Sequence, residues 1–354
     1  MTMSTTMNVA PETINRIADG AYPALAMLAG MQLNLFTPLQ DGPMTGDEID
    51  QAIGVGTEKL DPLLYALVAA NLLTMDGDRF ANTEESARFL VAGKPDYVGH
   101  RHHGISSRWA NILHTTESIR KGKAAAKVDF STISQEDVES SSRTRHQAPG
   151  TRHQAPGTRH QEAVATGVDL AARYYFSRYN KMLEVGGRTG GLTFGVLETN
   201  PHIQGTVVDL PATTTVTEHY VKDSDFADRV RVKACDVVEG TLEGSYDAVI
   251  MKSFIQVLNP DQARRALANI QRVTEPGGSV YILGAVLDDS RLSPLEAVGS
   301  SLNFLNIYDG GQSYTQAEYR GWLAEAGFDV VERVVVSDGS SIIAARKPDS
   351  ADKS

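Results

Sequence analysis

One cysteine, Cys235, is all the thiol chemistry available in 354 residues. That excludes an intrachain disulfide and any cysteine-rich metal cluster. Long apolar runs are missing as well: no stretch approaches the roughly 18 residues of a membrane span, so no membrane partner is expected. Basic charge is in short supply. Lys and Arg number 33 against 44 Asp and Glu, a formal net charge of −11, whereas a nucleic-acid partner needs a basic face. The first twenty residues, MTMSTTMNVAPETINRIADG, lack the basic and apolar regions of a secretion signal, and a cytoplasmic protein is expected. What is present, 41% hydrophobic and 22% charged, suits a globular chain long enough for two domains with a core each.

The first half reads as helical. AYPALAMLAGMQLNLFTPL (21–39) is apolar nearly all round, so a helix here is buried in a core or against a second subunit. MTGDEIDQAIG (44–54) offers Thr45 as N-cap, Glu48 to complete a capping box, and Gly54 as the stop. A further helix is predicted over 57–73, then a hairpin turning at Asp76-Gly77. Helix, turn, helix and hairpin make a winged-helix layout, which raises the alternative of a non-catalytic regulator that binds DNA or a ligand. Its second helix opens with Glu58, Lys59 and Asp61, a net negative end where base and phosphate readers place Arg, Lys, Asn or Gln. The element is read as scaffold or dimer interface.

Between the halves TRHQAPG occurs at 144–150 and 151–157, and TRHQ again at 158–161. No apolar residues fill the a and d positions, so this period of seven is no coiled coil. Pro149 and Pro156, each followed by Gly, forbid a continuous helix. His146, His153 and His160 suggest a metal tract, but a duplicated, mildly basic linker without metal is the favoured expectation. The expected domains are 1–140, a linker at 141–162, and 163–348.

From 180 onward KMLEVGG, GTVVDL, RVRVKACD, YDAVIMKSF and GSVYILGAV alternate with helical stretches, the signature of a parallel sheet built from βαβ units. TQAEYRGWLAEAG is a helix stopped by Gly327. FDVVERVVV and SIIAARK then flank SDGS as an antiparallel hairpin that closes the sheet. The expected class is α/β, a Rossmann-like sheet ending in a hairpin behind a mostly helical domain. A plain dinucleotide fold continues with parallel strands, whereas such a hairpin marks a methyltransferase.

The turn in MLEVGGRTGG (182–191) places Gly186 and Gly190 at the outer small positions of a dinucleotide fingerprint. Arg188 stands where the middle glycine would let backbone approach a pyrophosphate, which disfavours a nicotinamide cofactor. Glu184, Asp209 and Asp236 end three successive predicted strands, and the carboxyl ends of parallel strands face the ligand crevice. A row of carboxylates suits a ligand with a positive charge, an amino group and ribose hydroxyls, and opposes phosphates. S-adenosylmethionine has those groups and no phosphate. Asp209 sits where the ribose-binding acid is expected, roughly 20 residues past the glycines.

LEVGGRTGG, VVDLP, CDVVEG, MKSFIQVL and EPGGSVYILGAVL, with the helical first domain, resemble the small-molecule O-methyltransferases of the plant caffeate and bacterial polyketide or carotenoid type. The resemblance covers almost the whole chain except the repeat. It implies a class I methyltransferase fold with an N-terminal dimerisation domain, a homodimer, S-adenosylmethionine as cofactor, and a small aromatic or enolic acceptor. By it, Glu184, Gly186, Gly187 and Gly190 hold the methionine end of the cofactor. Asp209 and Leu210 contact ribose and adenine, Asp236 and Val237 the adenine edge, and Lys252 matches a lysine after the fourth strand.

The family's base is a histidine in a K-x-x-x-H-D-W context. Counted from Lys252 that position is Gln256, or Asn259 if the alignment slides, and neither accepts a proton at neutral pH. Three accounts stay open. Another histidine serves, His103 first and His102 second. Alternatively the acceptor needs no strong base, being an acidic phenol or an enol carbon that is C-methylated; or the chain binds its ligands without turnover. In the first two, Gln256 orients a carbonyl or hydroxyl. A metal-dependent branch of the family carries a His-Asp pair here, but Val257 follows Gln256, so no metal is expected. LNFLNIYDGGQSYT (302–315) occupies the place of the family's pocket-lining segment, with Asn303, Asn306 and Tyr308 as polar contacts and Asp288 and Asp289 after the fifth strand as further ones.

Overall fold

A computed structural model describes residues 10–55, 59–128, 158–336 and 339–349. Glu58 and the two full TRHQAPG copies at 144–157 lie outside the described residues. The chain divides into two units, Met1–Arg108 and Trp109–Ser354.

In the first unit α1 (Glu12–Asp19) and α2 (Ala21–Gln32) are followed by β1 (Met44–Thr45), α3 (Gly46–Ile53), α4 (Asp61–Ala69), β2 (Leu73–Asp76), β3 (Arg79–Asn82) and α5 (Glu84–Phe89). Helix α2 stops seven residues short of the apolar run, because Asn34 turns left-handed at φ 52° and Leu35 and Phe36 enter the core instead. The capping box forms as expected. Glu48 N–H donates to Thr45 Oγ1 at 3.3 Å, Glu48 Oε2 accepts from Thr45 N–H at 2.8 Å, and Gly54 ends α3 at φ 70°. Strands β1, β3 and β2 form an antiparallel sheet in that order. Phe36, Ile49, Leu64, Leu67, Leu73 and Phe80 fill the core beneath it.

The division between units falls inside α6 (His102–Ile112), well before the boundary expected at 140. Asn306 supplies the physical reason. Ser118 on α7 (Thr115–Lys121) donates to Asn306 Oδ1 at 2.7 Å, and Asn306 Nδ2 donates to Thr115 Oγ1 at 3.0 Å. Ala126 N–H also donates to the Asn306 carbonyl at 2.9 Å. The segment after Arg108 is thereby stitched to the second unit.

Helix α8 (Thr158–Arg173) opens that unit's alternating part, so the linker expected through 162 gives way to helix at 158. Then come β4 (Lys181–Val185), α9 (Gly191–Thr199), β5 (Gln204–Asp209), α10 (Pro211–Lys222), β6 (Val230–Ala234), β7 (Tyr246–Lys252), α11 (Pro260–Val273), β8 (Thr274–Gly284), β9 (Val286–Leu287), α12 (Leu295–Ile307), β10 (Tyr314–Thr315), α13 (Gln316–Glu325), β11 (Asp329–Val335) and β12 (Ser341–Arg346). The main sheet runs β11-β12-β8-β7-β4-β5-β6. Strands β8, β7, β4, β5 and β6 are parallel, and β12 and β11 add antiparallel at the edge. The terminal hairpin is therefore present, although Ser337 and Asp338 of its turn lie outside the described residues. Two apolar layers cover the sheet, one including Leu183, Val249 and Ile282, the other Met182, Val207 and Ile250. Chain order reverses at β4, so the crevice where a ligand belongs opens beyond the carboxyl ends of β4, β5 and β7.

Candidate active site

The glycine turn comes directly after β4. Gly186 takes φ 69° and donates its N–H to the Val208 carbonyl at 2.8 Å. Gly187 has no room for a side chain, since a Cβ there would lie 2.5 Å from Val207 Cγ1 and 2.9 Å from Glu184 Cδ. Gly190, at φ 73°, caps α9. Between them Arg188 holds φ 51°. Its N–H donates to Asp209 Oδ2 at 2.8 Å, and its carbonyl accepts from the Thr217 hydroxyl. His160 on α8 pins the next residue, with Nδ1 sharing a 2.9 Å hydrogen bond with Thr189 Oγ1. The imidazole is buried between Phe194 and Tyr220. The third repeat copy is thus a working part of the turn's scaffold and no linker, and among the described residues no group of His, Cys, Asp and Glu could hold a metal. The distinguishing signal is the stretch after the third TRHQ: EAVATGVDLAAR has helical apolar spacing where the other copies have Pro-Gly.

A cavity of about 390 Å³ lies beside this turn, within the range of small-molecule sites. Of the expected cofactor residues, Gly186, Asp209, Leu210, Asp236, Val237 and Lys252 line it. Arg188, Phe254 and Tyr308 line it too. From the sequence Arg188 registers only as an obstacle to pyrophosphate, and Phe254 not at all. Asp209 Oδ1 also accepts from Leu210 N–H at 2.7 Å. Burial pushes its carboxyl up, while the backbone hydrogen bonds from Arg188 and Leu210 pull it back. Asp236 Oδ1 accepts from Val238 N–H at 2.8 Å, and Lys252 Nζ donates to Thr166 Oγ1 at 3.2 Å.

Glu184, Gly187 and Gly190 do not line the cavity. For Glu184 this corrects the expectation. Its Oε2 accepts from Thr193 N–H at 2.9 Å and Thr193 Oγ1 at 2.6 Å, which anchors the N-terminal turn of α9 where a negative charge is favourable. Burial, the dominant cause, nevertheless raises this carboxyl from 4.5 to about 7. Between those values the folded chain keeps a proton that the unfolded chain has released. Its contribution to stability therefore falls as pH rises from 4.5 to about 7, by about 3 kcal/mol in full. His160 acts in the opposite sense. Burial lowers its imidazole from 6.5 to about 4, so its contribution is complete above 6.5 and is lost as pH falls toward 4. Glu184→Gln keeps an acceptor for Thr193 and should raise the melting temperature at pH 8 while leaving it unchanged at pH 4.5. Equal shifts at both pH values in a melting series would show that no buried charge is involved.

Of the two expected catalytic residues, Gln256 is not among those that line the cavity. Gln256 sits in the short 3-10 turn Ile255–Val257, which turns Val257 toward the cavity and buries the Gln256 side chain against Gly284 and Ala285. Its exposure is 1%, and Nε2 reaches the Ala285 carbonyl at 3.4 Å. Gln256 as an orienting group for the acceptor is corrected accordingly. His103 and His102 begin α6 in the first unit, and the His103 side chain lies outside the described residues. Asn259 caps α11, its Oδ1 accepting from Gln262 N–H at 2.9 Å. Asn303 accepts from Asn111 at 3.2 Å and Asn306 ties α7 as described. Asp288 closes a local turn with Ser290 and Ser293, and Asp289 accepts from Ala317 N–H at 2.8 Å. Of that group only Tyr308 faces the cavity.

The family model for an O-methyltransferase domain matches residues 143–329, and that for an O-methyltransferase dimerisation domain matches 15–92. This chain belongs to the O-methyltransferase family. As an O-methyltransferase it uses S-adenosylmethionine as methyl donor. It is similar to the 3-hydroxy-5-methyl-1-naphthoate 3-O-methyltransferase of Streptomyces sahachiroi, with 28% identity over 92% of this chain and 91% of that one. Similarity to the tetracenomycin polyketide synthesis 8-O-methyl transferase TcmO of Streptomyces glaucescens is 27% identity over 96% and 97%. In fold this O-methyltransferase matches, at a TM-score of 0.69 and 22% identity over 97% and 99% of the two chains, an O-methyltransferase from neocarzinostatin biosynthesis. That enzyme was solved in complex with S-adenosylmethionine and 2-hydroxy-5-methyl naphthoic acid.

Proposed function

We propose that this O-methyltransferase methylates an acidic hydroxyl of a small aromatic or enolic metabolite, that the acceptor's own ionisation replaces an enzymic base, and that it works as a cytoplasmic homodimer. One observation carries the reading: the cavity at the sheet's carboxyl rim presents Asp209 and Asp236 and, among the described residues, no histidine. The donor set fits the cofactor. Asp209 would take ribose hydroxyls, Leu210 and Val237 would flank adenine, Asp236 would accept from its exocyclic amine, and these carboxylates oppose a phosphate. When bound, S-adenosylmethionine supplies a methyl group made electrophilic by its sulfonium. The chain's own task is alignment and exclusion of water, which suffices for a displacement between two held partners, with Phe254, Val257 and Leu258 as the apolar wall.

Both Streptomyces relatives are O-methyltransferases, and the first acts on a hydroxynaphthoate, an acidic aromatic acceptor. Dimer formation draws support from Ile14, Ile17, Tyr22 and Leu25 on α1 and α2, each at least half exposed, an apolar surface of the kind that marks an association site. No helix of the described residues is long and apolar enough to cross a membrane, and a lone free cysteine suits a reducing compartment.

Mass spectrometry on hydroxynaphthoates and related phenols should show the gain of one methylene unit. Its kcat/KM should follow the acceptor's ionisation as pH rises, and His103→Ala should leave it intact. A loss of about a hundredfold in His103→Ala, the scale of a missing general base, would restore the histidine account. Methyl appearing on carbon would instead select the C-methylating branch, and tight cofactor binding with no product on any acceptor would point to a non-catalytic role.

A further inference from the structure

We propose that Arg188 receives the α-carboxylate of S-adenosylmethionine, so that the glycine turn itself carries the carboxylate clamp. The proposal rests on the cofactor reading above and assigns a part of that site not yet accounted for.

Arg188 occupies the middle of the turn at φ 51°, a left-handed conformation that glycine adopts without penalty and a long side chain does not. The bonds of the Arg188 N–H to Asp209 and of its carbonyl to the Thr217 hydroxyl hold it there, and such outliers cluster at ligand sites. Here it lines the cavity together with Tyr308, Asp209 and Gly186. The other charged lining residues are Asp209, Asp236 and Glu239 together with Lys252, whose Nζ donates to Thr166 Oγ1 at 3.2 Å. Those acids suit the sulfonium, the amine and the ribose; the cofactor has one anionic group, and an arginine on the turn that faces its methionine end matches it in sign and in planar, two-pronged geometry.

The electrostatics agree. Desolvation is the main influence disfavouring the Arg188 charge, the Arg159 guanidinium adds to it, and Asp209, Tyr308 and Tyr220 offset them only in part. Asp209 is already engaged by two backbone N–H groups. A carboxylate bound in the cavity would add a countercharge to Arg188, which lines it. Tyr308 feels the same two arginines, yet burial holds its phenol up to about 12, so it stays protonated and can donate to the same anion. Arg159 sits next to His160, whose bond to Thr189 ties α8 to the turn.

Calorimetry on the full-length protein can isolate the carboxylate by comparing S-adenosylmethionine with its decarboxylated analogue, which keeps the sulfonium, amine, ribose and adenine. The wild-type protein should prefer the parent compound by roughly ten- to a hundredfold, the range of a hydrogen-bonded charged pair. Arg188→Gly, compatible with the backbone at this position, should erase the preference and leave affinity for the analogue unchanged. Arg188→Lys should recover part of it, and thermal melting should show both variants folded. An undiminished preference in Arg188→Gly, or equal losses for the two ligands, would overturn the proposal. So would a raised KM for the acceptor at unchanged cofactor preference, because the guanidinium would then serve the acceptor. If the wild-type protein binds neither compound, the cofactor reading itself is at fault and the proposal falls with it.

Discussion

Gly195→Ala should lower the melting temperature by roughly 6–12 °C, the shift expected for about 3 kcal/mol in a unit of this size. The added methyl group would run into the backbone of α8, meeting the Val164 carbonyl oxygen and approaching Val168 N at 2.8 Å. No rotamer change can relieve a clash with backbone, which puts the cost at the upper end of overpacking penalties. The contact is close from both sides. A Cβ on Gly167 would meet the Leu192 carbonyl and lie 3.1 Å from Gly195 Cα, and one on Gly191 would lie 2.7 Å from Ala163 Cβ and 2.9 Å from the His160 carbonyl. Because α8 also carries His160 and Arg159, pushing the two helices apart should weaken cofactor binding along with stability. Differential scanning calorimetry decides: a melting temperature within about 2 °C of wild type would mean that α8 and α9 can separate at little cost.

The sheet, its terminal hairpin and the capped helix α3 were legible because their signals are local. Alternating apolar runs, the Thr45–Glu48 pair and Gly54 each act within a few residues. What escaped depended on contacts over long sequence separations or on one residue of register. Asp209 is the last residue of β5, and Asp236 lies just past β6; both reach the cavity. Glu184 is one residue short of the end of β4, and its carboxylate meets Thr193 instead. All three read as strand-end acids in the sequence, yet a single position separates a cavity-lining acid from a helix anchor. The Gln256 reading failed for a related reason, since the turn of Ile255–Val257 decides which neighbour faces the cavity, and Val257 does. His160 was hidden by its own duplication: the three tetrapeptides are identical, and only the helical apolar spacing of the residues after the third sets it apart. The unit boundary depends on Asn306 gripping Ser118 across 188 positions, a distance no local pattern spans.

Asp209→Asn should have the largest effect on ligand binding, raising the dissociation constant for S-adenosylmethionine by about a hundredfold, or about 2.7 kcal/mol. An ionised carboxylate offers about four acceptor sites; the N–H groups of Arg188 and Leu210 take two, the Thr213 hydroxyl adds a side-chain bond, and the remaining capacity is available to the ribose. The amide replaces one acceptor oxygen with an NH₂ group, which leaves one of those backbone donors without its partner and reduces the capacity for the ribose. Stability should therefore fall by about 1–3 kcal/mol, the cost of a stranded buried donor, alongside the loss of affinity. The pattern across ligands separates this residue from Arg188. Ribose is common to S-adenosylmethionine and its decarboxylated analogue, so Asp209→Asn should weaken both equally, whereas Arg188→Gly should weaken the parent alone. If calorimetry finds Asp209→Asn within about threefold of wild type for both ligands, less than a single hydrogen bond, the carboxylate at the end of β5 is no ribose ligand, and its task is confined to holding the turn.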